Sequence, residues 1–231
     1  MGTRLRPLTE RIPKCLVPVL GKPLLQYWLD LLLPNGIDRV LINTHYLAEQ
    51  VVSFVHASPW RERIVLAHET ELLGTGGTVL HNRDFFGSSA FMVAHADNLS
   101  LFRVDEFIAH HLRRPPGTAL TMMTFDTDAP RRSGVVVVDA RGIVQEMHEK
   151  AANPPGRRAN AAVYIFEAEV LDFMASLGRA QIDLSTEVLP SFMGRISAFH
   201  NSQYHRDIGT PESLAKAASE YASRPQAITA H

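Results

Sequence analysis

Four stretches of this sequence carry residue types suited to chemistry on phosphate. The first is Gly2-Thr3-Arg4-Leu5-Arg6, followed by Pro13-Lys14. Glycine lets backbone amides approach an anion, and arginine and lysine add charge-assisted bonds to its oxygens. A solvated basic loop would use the same residues. The second is Gly74-Thr75-Gly76-Gly77 ahead of a helical pattern. Open amides at a positive helix end suit a nucleotide, and a tight turn suits the same glycines. The third is Asp97, ending the apolar run "FMVAHAD", and the fourth is Asp207 in "YHRDIGTPE". Each acid follows a strand pattern, where it can cap a turn or bind a hard cation such as Mg²⁺. Far apart in sequence, the two can share one ion only if the fold brings their strands together.

The eleven histidines invite a metal-site reading that their spacing does not support. His110 and His111 are adjacent on a helical pattern, so they diverge by about 100° and cannot easily hold one ion. His95 and His205 flank the two candidate acids and can support them from behind. Cys15 neighbours Lys14, which could lower its thiol pKa, although a small buried loop side chain fits as well.

Behind these residues stand the elements that must position them. Residues 1–22 read as loop. Leu24, Tyr27, Trp28 and Leu31 recur at helical spacing in "GKPLLQYWLDLLLPNGI", which stops at Pro34-Asn35-Gly36. "DRVLINT", "RIVLAHE" and "SAFMVAHAD" read as strands; "LAEQVVSFV", "GTVLHNRDFF" and "VDEFIAHHLRR" read as helices. This alternation predicts an α/β chain whose ligands gather at the carboxyl ends of the strands. After about residue 115 strands predominate: "GTALTMMTF", a hairpin in "GVVVVDARGIVQEM" turning at Gly142, "NAAVYIF", "RISAFHN" and "QYHRDI". Helices are expected at "AEVLDFMASL", at "DLSTEVLPSFM" capped by Asp183 or Ser185, and at "PESLAKAASEYA" capped by Thr210 with Pro211 next. A mobile tail is expected beyond Arg224.

The 231 residues allow one large domain, and a formal net charge of −1 gives no global field for nucleic acid or membrane. One cysteine excludes an internal disulfide framework and fits a reducing cytoplasm. Pro7, Pro13 and Pro18 interrupt any signal-peptide core, and no apolar run approaches the roughly 20 residues of a membrane span.

In their order, "GTRLRPLT", "PKCLVPVLGKP", "LGTGG", "HADN", "HEK", "NAAVYIF" and "DIGTPE" resemble the sugar-1-phosphate nucleotidyltransferases from Gly2 to about Ala218. The resemblance implies a Rossmann-like α/β/α sandwich with a mixed, mainly parallel sheet and a small inserted sugar-binding β region. It divides residues 1–224 into a nucleotide-binding half (1–115), a sugar-binding half (116–208) and a terminal helix. It also implies a reaction: a sugar 1-phosphate oxygen attacks the α-phosphorus of a nucleoside triphosphate, and pyrophosphate leaves. Carried over by position, Arg4 looks like the arginine on the triphosphate and Lys14 like the lysine that neutralises charge at the reacting centre. Gly2, Thr3, Leu73, Gly74 and Thr75 fall on the nucleotide side, Leu73 and Gly74 bordering the base. Asp97 and Asp207 look like paired Mg²⁺ ligands. Glu149 and Lys150 look like the sugar-hydroxyl and sugar-phosphate partners, with Gly134 and Asn160 lining the sugar pocket. Guanine with a mannose- or heptose-type sugar is the favoured reading; uridylyl or thymidylyl transfer, and nucleotide binding without turnover, are the alternatives. The implied partners are the two substrates and a possible second copy, with neither nucleic acid nor membrane.

The sequence departs from the family pattern in several places. Ala94-His95-Ala96 precedes Asp97, Ala151 follows Glu149-Lys150, and Asn160-Ala161-Ala162 replaces an expected Asn-Ala-Gly. The family's buried first strand and glycine-rich turn would precede Gly2, so the start is read as an internal methionine. A sheet lacking that strand should show a gap, a shifted strand or a neighbouring segment in its place.

Overall fold

The structure, a computed structural model, describes residues 3–224; Gly2 and the tail beyond Arg224 lie outside the described residues. The chain opens with three short 3-10 turns (Thr3–Leu5, Leu8–Glu10, Lys14–Leu16) and a small hairpin of β1 (Pro18–Val19) and β2 (Lys22–Pro23). Helix α1 (Leu24–Leu32) follows, burying Leu24, Leu25, Trp28, Leu29 and Leu32. At about 1.5–3 kcal/mol for each large apolar side chain, that face anchors the helix. Gly36, at φ 96°, ends the segment in a conformation costly for other residues.

β3 (Val40–Thr44), α2 (Ala48–Ala57), β4 (Ile64–His68), α3 (Gly74–His81), α4 (Arg83–Phe86) and β5 (Phe91–Ala94) then alternate as the sequence predicts. β6 (Asn98–Leu101) is an unexpected short strand ahead of α5 (Val104–Leu112). The second half supplies β7 (Leu120–Asp126), β8 (Gly134–Val138), β9 (Ile143–Glu149), β10 (Arg158–Phe166) and α6 (Ala168–Ser176). It continues through a π-helical turn (Leu184–Val188), α7 (Leu189–Ser191), β11 (Ile196–His200), β12 (Tyr204–Asp207) and α8 (Pro211–Ala222). Asp183, rather than Ser185, accepts the Thr186 amide at the start of the π turn, and Thr210 forms a reciprocal cap with Ser213.

The main sheet runs β5-β10-β7-β11-β9-β8. Alternate residues of its strands feed two cores. Leu120, Met122, Tyr164 and Phe166 pack with α3, α6 and the π turn, while Met123, Ala161, Val163 and Ile165 pack with α1 and α5. The sheet is mixed, as expected, but antiparallel pairing predominates: among the described strands only β3–β4 and β7–β11 are parallel. This corrects the expectation of a mainly parallel sheet. The second half folds back on itself through hairpins, and a short turn can join only antiparallel neighbours.

β3 and β4 form a separate pair, with no ladder joining β3 to β5 among the described residues. Helix α1 bridges them: Leu25 and Leu29 pack with Ile42 of β3, while Trp28 and Leu32 pack with Met92 and Ala94 of β5. The strand implied ahead of Gly2 falls outside the described residues. Among those described, no helix is long and apolar enough to cross a membrane.

Candidate active site

β6 is the element that assembles the site. It pairs antiparallel with β12, setting Asp207 opposite Asn98, and the Ile208 amide reaches the Asp97 carbonyl at 3.4 Å. Two acids 110 positions apart are thereby neighbours. Leu99 is buried beneath this ribbon, and Trp28 donates its indole N–H to the Asn98 carbonyl at 2.9 Å, fixing the backbone beside Asp97.

Lys14 joins the acids. Its ammonium lies 2.6 Å from Asp97 Oδ2 and 3.6 Å from Asp207 Oδ1, with 18% of the side chain exposed. Burial opposes the charge of Asp97, but the Lys14 ammonium and its hydrogen bond hold that carboxyl below the usual range. Both carboxylates therefore face the same ammonium. Among the described residues no group of three or more His, Cys, Asp or Glu could cage a metal. An oxygen-only pair fits a hard ion that takes its remaining ligands from substrate phosphates and water. Arg4 completes the cluster. A Cβ at Gly209 would lie 2.7 Å from Asp207 Oδ2 and 3.1 Å from Arg4 Nη2, so the carboxylate and the guanidinium both rest against this glycine. Leu5 and Val17, both buried in the core with Leu99, Tyr204 and Ile208, pin the loop that carries Arg4 and Lys14. Thr3 opens the first turn, and Gly2 lies outside the described residues.

His205 and His95 stand behind the acids. His205 bonds Ser100 at 2.5 Å, and burial pushes its imidazole down to about 3, so it is neutral. The His95 amide donates to the Ala162 carbonyl, while its buried Nε2 has no protein partner. Cys15 is a structural side chain: burial pushes its thiol up to about 11, opposite to the lowering that Lys14 could have caused. His110 bonds Ser197, and His111 bonds Thr121 and Glu167, so both hold the helix to its surroundings.

The glycine run behaves differently from an open phosphate cradle. Helix α3 begins at Gly74 itself, and the Gly76 and Gly77 amides both donate to the Ile182 carbonyl, at 2.9 and 3.1 Å. A Cβ at Gly77 would lie 2.1 Å from the Ala180 carbonyl oxygen, and one at Gly74 would lie 2.5 Å from that of Ile182. Thr75 is also engaged: its hydroxyl accepts the Leu184 amide at 2.8 Å. The glycines admit the backbone of residues 180–182, so the Gly76 and Gly77 amides are engaged within the protein. Beside them opens a cavity of about 370 Å³, lined by Leu73 and Gly77 and by Glu69, Thr70, Glu71 and Ala180 among others. Glu69 went unnoticed in the sequence. It is only 5% exposed, and its Oε1 accepts the Thr78 hydroxyl at 2.6 Å. The available signal was an acid directly after a strand pattern, the position that singled out Asp97.

The sugar-side residues also gather. Gly134 pairs with Glu149 across β8–β9, and a Cβ at Gly134 would lie 2.7 Å from Glu149 Oε2. Lys150 lies 3.0 Å from Glu149 Oε1, and its amide donates to Ser133. β8 pairs with β10 as well, setting Val135 opposite Ala159 and so bringing Asn160 alongside. The Asn160 amide is used within the protein: it donates to the Tyr164 hydroxyl and accepts the Ala162 amide, bracing a bulge in β10 where Ala162 sits at φ 53°.

The sequence matches the family described as Nucleotidyl transferase over residues 1–224. Mannose-1-phosphate guanylyltransferase of Mycobacterium tuberculosis is 30% identical over 224 residues, covering 95% of this chain and 61% of that protein. The chain spans about three-fifths of the length of the curated relatives it matches first. HddC from Yersinia pseudotuberculosis, solved in complex with GMP-PN, is 26% identical with a TM-score of 0.78, covering 96% of this chain and 95% of that one. A Bacillus anthracis protein solved in complex with a sucrose has a TM-score of 0.85 at 20% identity, covering 97% and 92%, a likeness of fold alone. With a family match that takes in the basic turn, the glycine run, both acids and the sugar-side strands, the chain belongs to the nucleotidyl transferase family.

Proposed function

We propose that this protein is a sugar-1-phosphate nucleotidyltransferase, condensing a nucleoside triphosphate with a sugar 1-phosphate and releasing pyrophosphate. The observation that carries the reading is the convergence of Arg4, Lys14, Asp97 and Asp207 at the ends of β6 and β12. Two anionic reactants must meet, so alignment and charge neutralisation matter more than a strong base. Asp97 and Asp207 would hold Mg²⁺, which when bound supplies positive charge for the phosphates. Lys14 exchanges its carboxylate partners for phosphate oxygens, and Arg4 covers the leaving pyrophosphate. Glu149 accepts sugar hydroxyls and Lys150 binds the sugar phosphate, while residues 1–115 carry the nucleotide in the Rossmann-like half. A reducing cytoplasm is the setting this chemistry fits.

Glu69 favours guanine. A carboxylate only accepts hydrogen bonds, and guanine offers two adjacent donors, N1–H and N2–H₂, along one edge. Uracil and thymine offer one N–H between two carbonyls, which would repel the second carboxylate oxygen. A mannose- or heptose-type sugar accompanies guanine in this reading, consistent with the names of the relatives. Nucleotide binding without turnover is the second reading, favoured by the unjoined edges of β3 and β5. Pyrophosphate release across a panel of triphosphates and sugar 1-phosphates separates the two. Release with GTP and a mannose- or heptose-type 1-phosphate is expected. Tight nucleotide binding with no release from any pair would replace the enzyme with the binding module.

A further inference from the structure

His95 carries a polar atom that the protein buries and does not pair. Its Nε2 is screened from solvent and has no hydrogen-bond partner among the described residues. Buried polar groups are almost always paired, because an unmade bond forfeits the group's hydration with no return. The imidazoles of His205 and His111, buried nearby in the fold, obey that rule: His205 bonds Ser100, and His111 bonds Thr121 and Glu167.

The β5–β10 ladder says where the His95 ring stands. Phe91 faces Phe166 and Val93 faces Tyr164, and all four pack in the core beside α3 and α6. The His95 amide bonds the Ala162 carbonyl at 3.1 Å, so His95 and Ala162 form the next rung on the same face. Ala94 and Ala96, its chain neighbours, pack on the opposite face with α1. Across the rung, Ala162 offers only a methyl group, to which an imidazole cannot bond.

The sugar-side residues share that face. Tyr164, one rung away, accepts the Asn160 amide at 2.7 Å, and the same nitrogen lies 4.0 Å from Met147 Sδ. Met147 and Glu149 both flank Gly134, where a Cβ would lie 3.8 Å from Met147 Sδ and 2.7 Å from Glu149 Oε2. In the other direction the chain reaches Asp97 two residues on. His95 therefore stands between the carboxylate pair and the Asn160–Glu149 side. A sugar 1-phosphate spans the same interval, its phosphate at Lys14 and its far hydroxyls at Glu149.

We propose that His95 Nε2 hydrogen-bonds the hydroxyl on carbon 2 of the sugar 1-phosphate and so sets which sugars this chain accepts, an assignment that rests on the transferase reading above. Carbon 2 adjoins the phosphate-bearing carbon, and its hydroxyl is the one nearest the reacting centre. Mannose and glucose differ only at that carbon, so the contact bears directly on sugar choice. A hydroxyl both donates and accepts, so the bond forms whichever ring nitrogen holds the proton. A site built to bond a hydroxyl rejects the analogue lacking it, because its own polar group is then left unpaired.

Pyrophosphate release in the steady state tests this, using the sugar 1-phosphate that supports turnover and its 2-deoxy counterpart. The unaltered chain is compared with H95A, H95F and H95Q, each checked for folding by circular dichroism. With the unaltered chain, the 2-deoxy substrate should lose about tenfold in kcat/KM. H95A and H95F should raise the KM of the full sugar about tenfold, leave that of the triphosphate within about threefold, and abolish the difference between the two sugars. H95Q, whose amide also bonds hydroxyls, should restore part of that difference. A 2-deoxy penalty absent from the unaltered chain, or undiminished in H95A and H95F, overturns the proposal and leaves the transferase reading standing. So does a loss in those variants that falls equally on sugar 1-phosphate and triphosphate. No release from any pair of substrates by the unaltered chain overturns the transferase reading, and the assignment of His95 falls with it.

Discussion

Lys14 between Asp97 and Asp207 is the feature on which the proposed chemistry turns. An ammonium between two carboxylates holds them in place and favours the charged form of Asp97, and substrate phosphates bringing their own cation would compete for all three groups. In the proposed reading, base choice also turns on one side chain, Glu69. Glu69→Gln swaps one acceptor oxygen for a donor amide, which suits the carbonyl–N–H edge of uracil and thymine better than the donor edge of guanine. The change should lower kcat/KM with GTP by about 10-fold or more, a loss on the order of 1.4 kcal/mol or greater, and raise the relative rate with UTP or dTTP. Steady-state kinetics with the three triphosphates check this; an unchanged ranking would remove Glu69 from the base site.

Among the elements, the strap formed by residues 180–184 has the strongest structural claim. Its Ile182 carbonyl accepts both the Gly76 and Gly77 amides, and its Leu184 amide donates to the Thr75 hydroxyl. Gly77→Ala would drive a methyl into the Ala180 carbonyl, so the backbones must part, at a cost of about 1–3 kcal/mol. Urea unfolding should show that loss, whereas Gly156→Ala, where a Cβ meets nothing and φ is not left-handed, should cost less than the Gly77 change. Most elements were legible in the sequence because an unbroken apolar run, a turn glycine or a cap marks them: the strands at 40–44, 64–68 and 91–94, the Gly142 hairpin and the Thr210-capped helix. β6 was not, since four residues with one alternation are too short to carry a period, although it brings the acids together. The glycine run was legible as a special backbone but not for its partner. Nothing in "LGTGG" reveals that residues more than 100 positions away will press against it, so a phosphate cradle and a packing contact look alike in sequence.

At the scale of the molecule, α8 is tied to the sheet by charges surrounding Arg206. Arg206 reaches Glu220 at 2.7 Å and Asp128 at 3.2 Å, and Lys216 pairs with Asp128 as well. Hydrogen bonds from Lys216 and Arg206 hold the Asp128 carboxyl at about 2. The unfolded chain takes up a proton there first, so the stabilisation is full above the ordinary value of 3.8 and is lost as pH falls from there toward about 2. The groups are partly exposed, so the contribution is modest, under about 1 kcal/mol. Asp128→Asn should be less stable than the unaltered protein near neutrality, with the gap in urea midpoint closing as pH drops through that window. A gap that stays constant down to acid pH would mean that the carboxylate's charge is not what ties the helix down.

The central claim is that two strands about 100 positions apart in the chain meet to make one cation-dependent centre. Asp97→Asn and Asp207→Asn test it most directly, by Mg²⁺-dependent pyrophosphate release measured alongside nucleotide affinity. Each change removes one carboxylate from the shared centre, so each should cut turnover by about 100-fold or more, while nucleotide binding weakens far less. Equal losses of binding and turnover, or full turnover in either variant, would contradict the account.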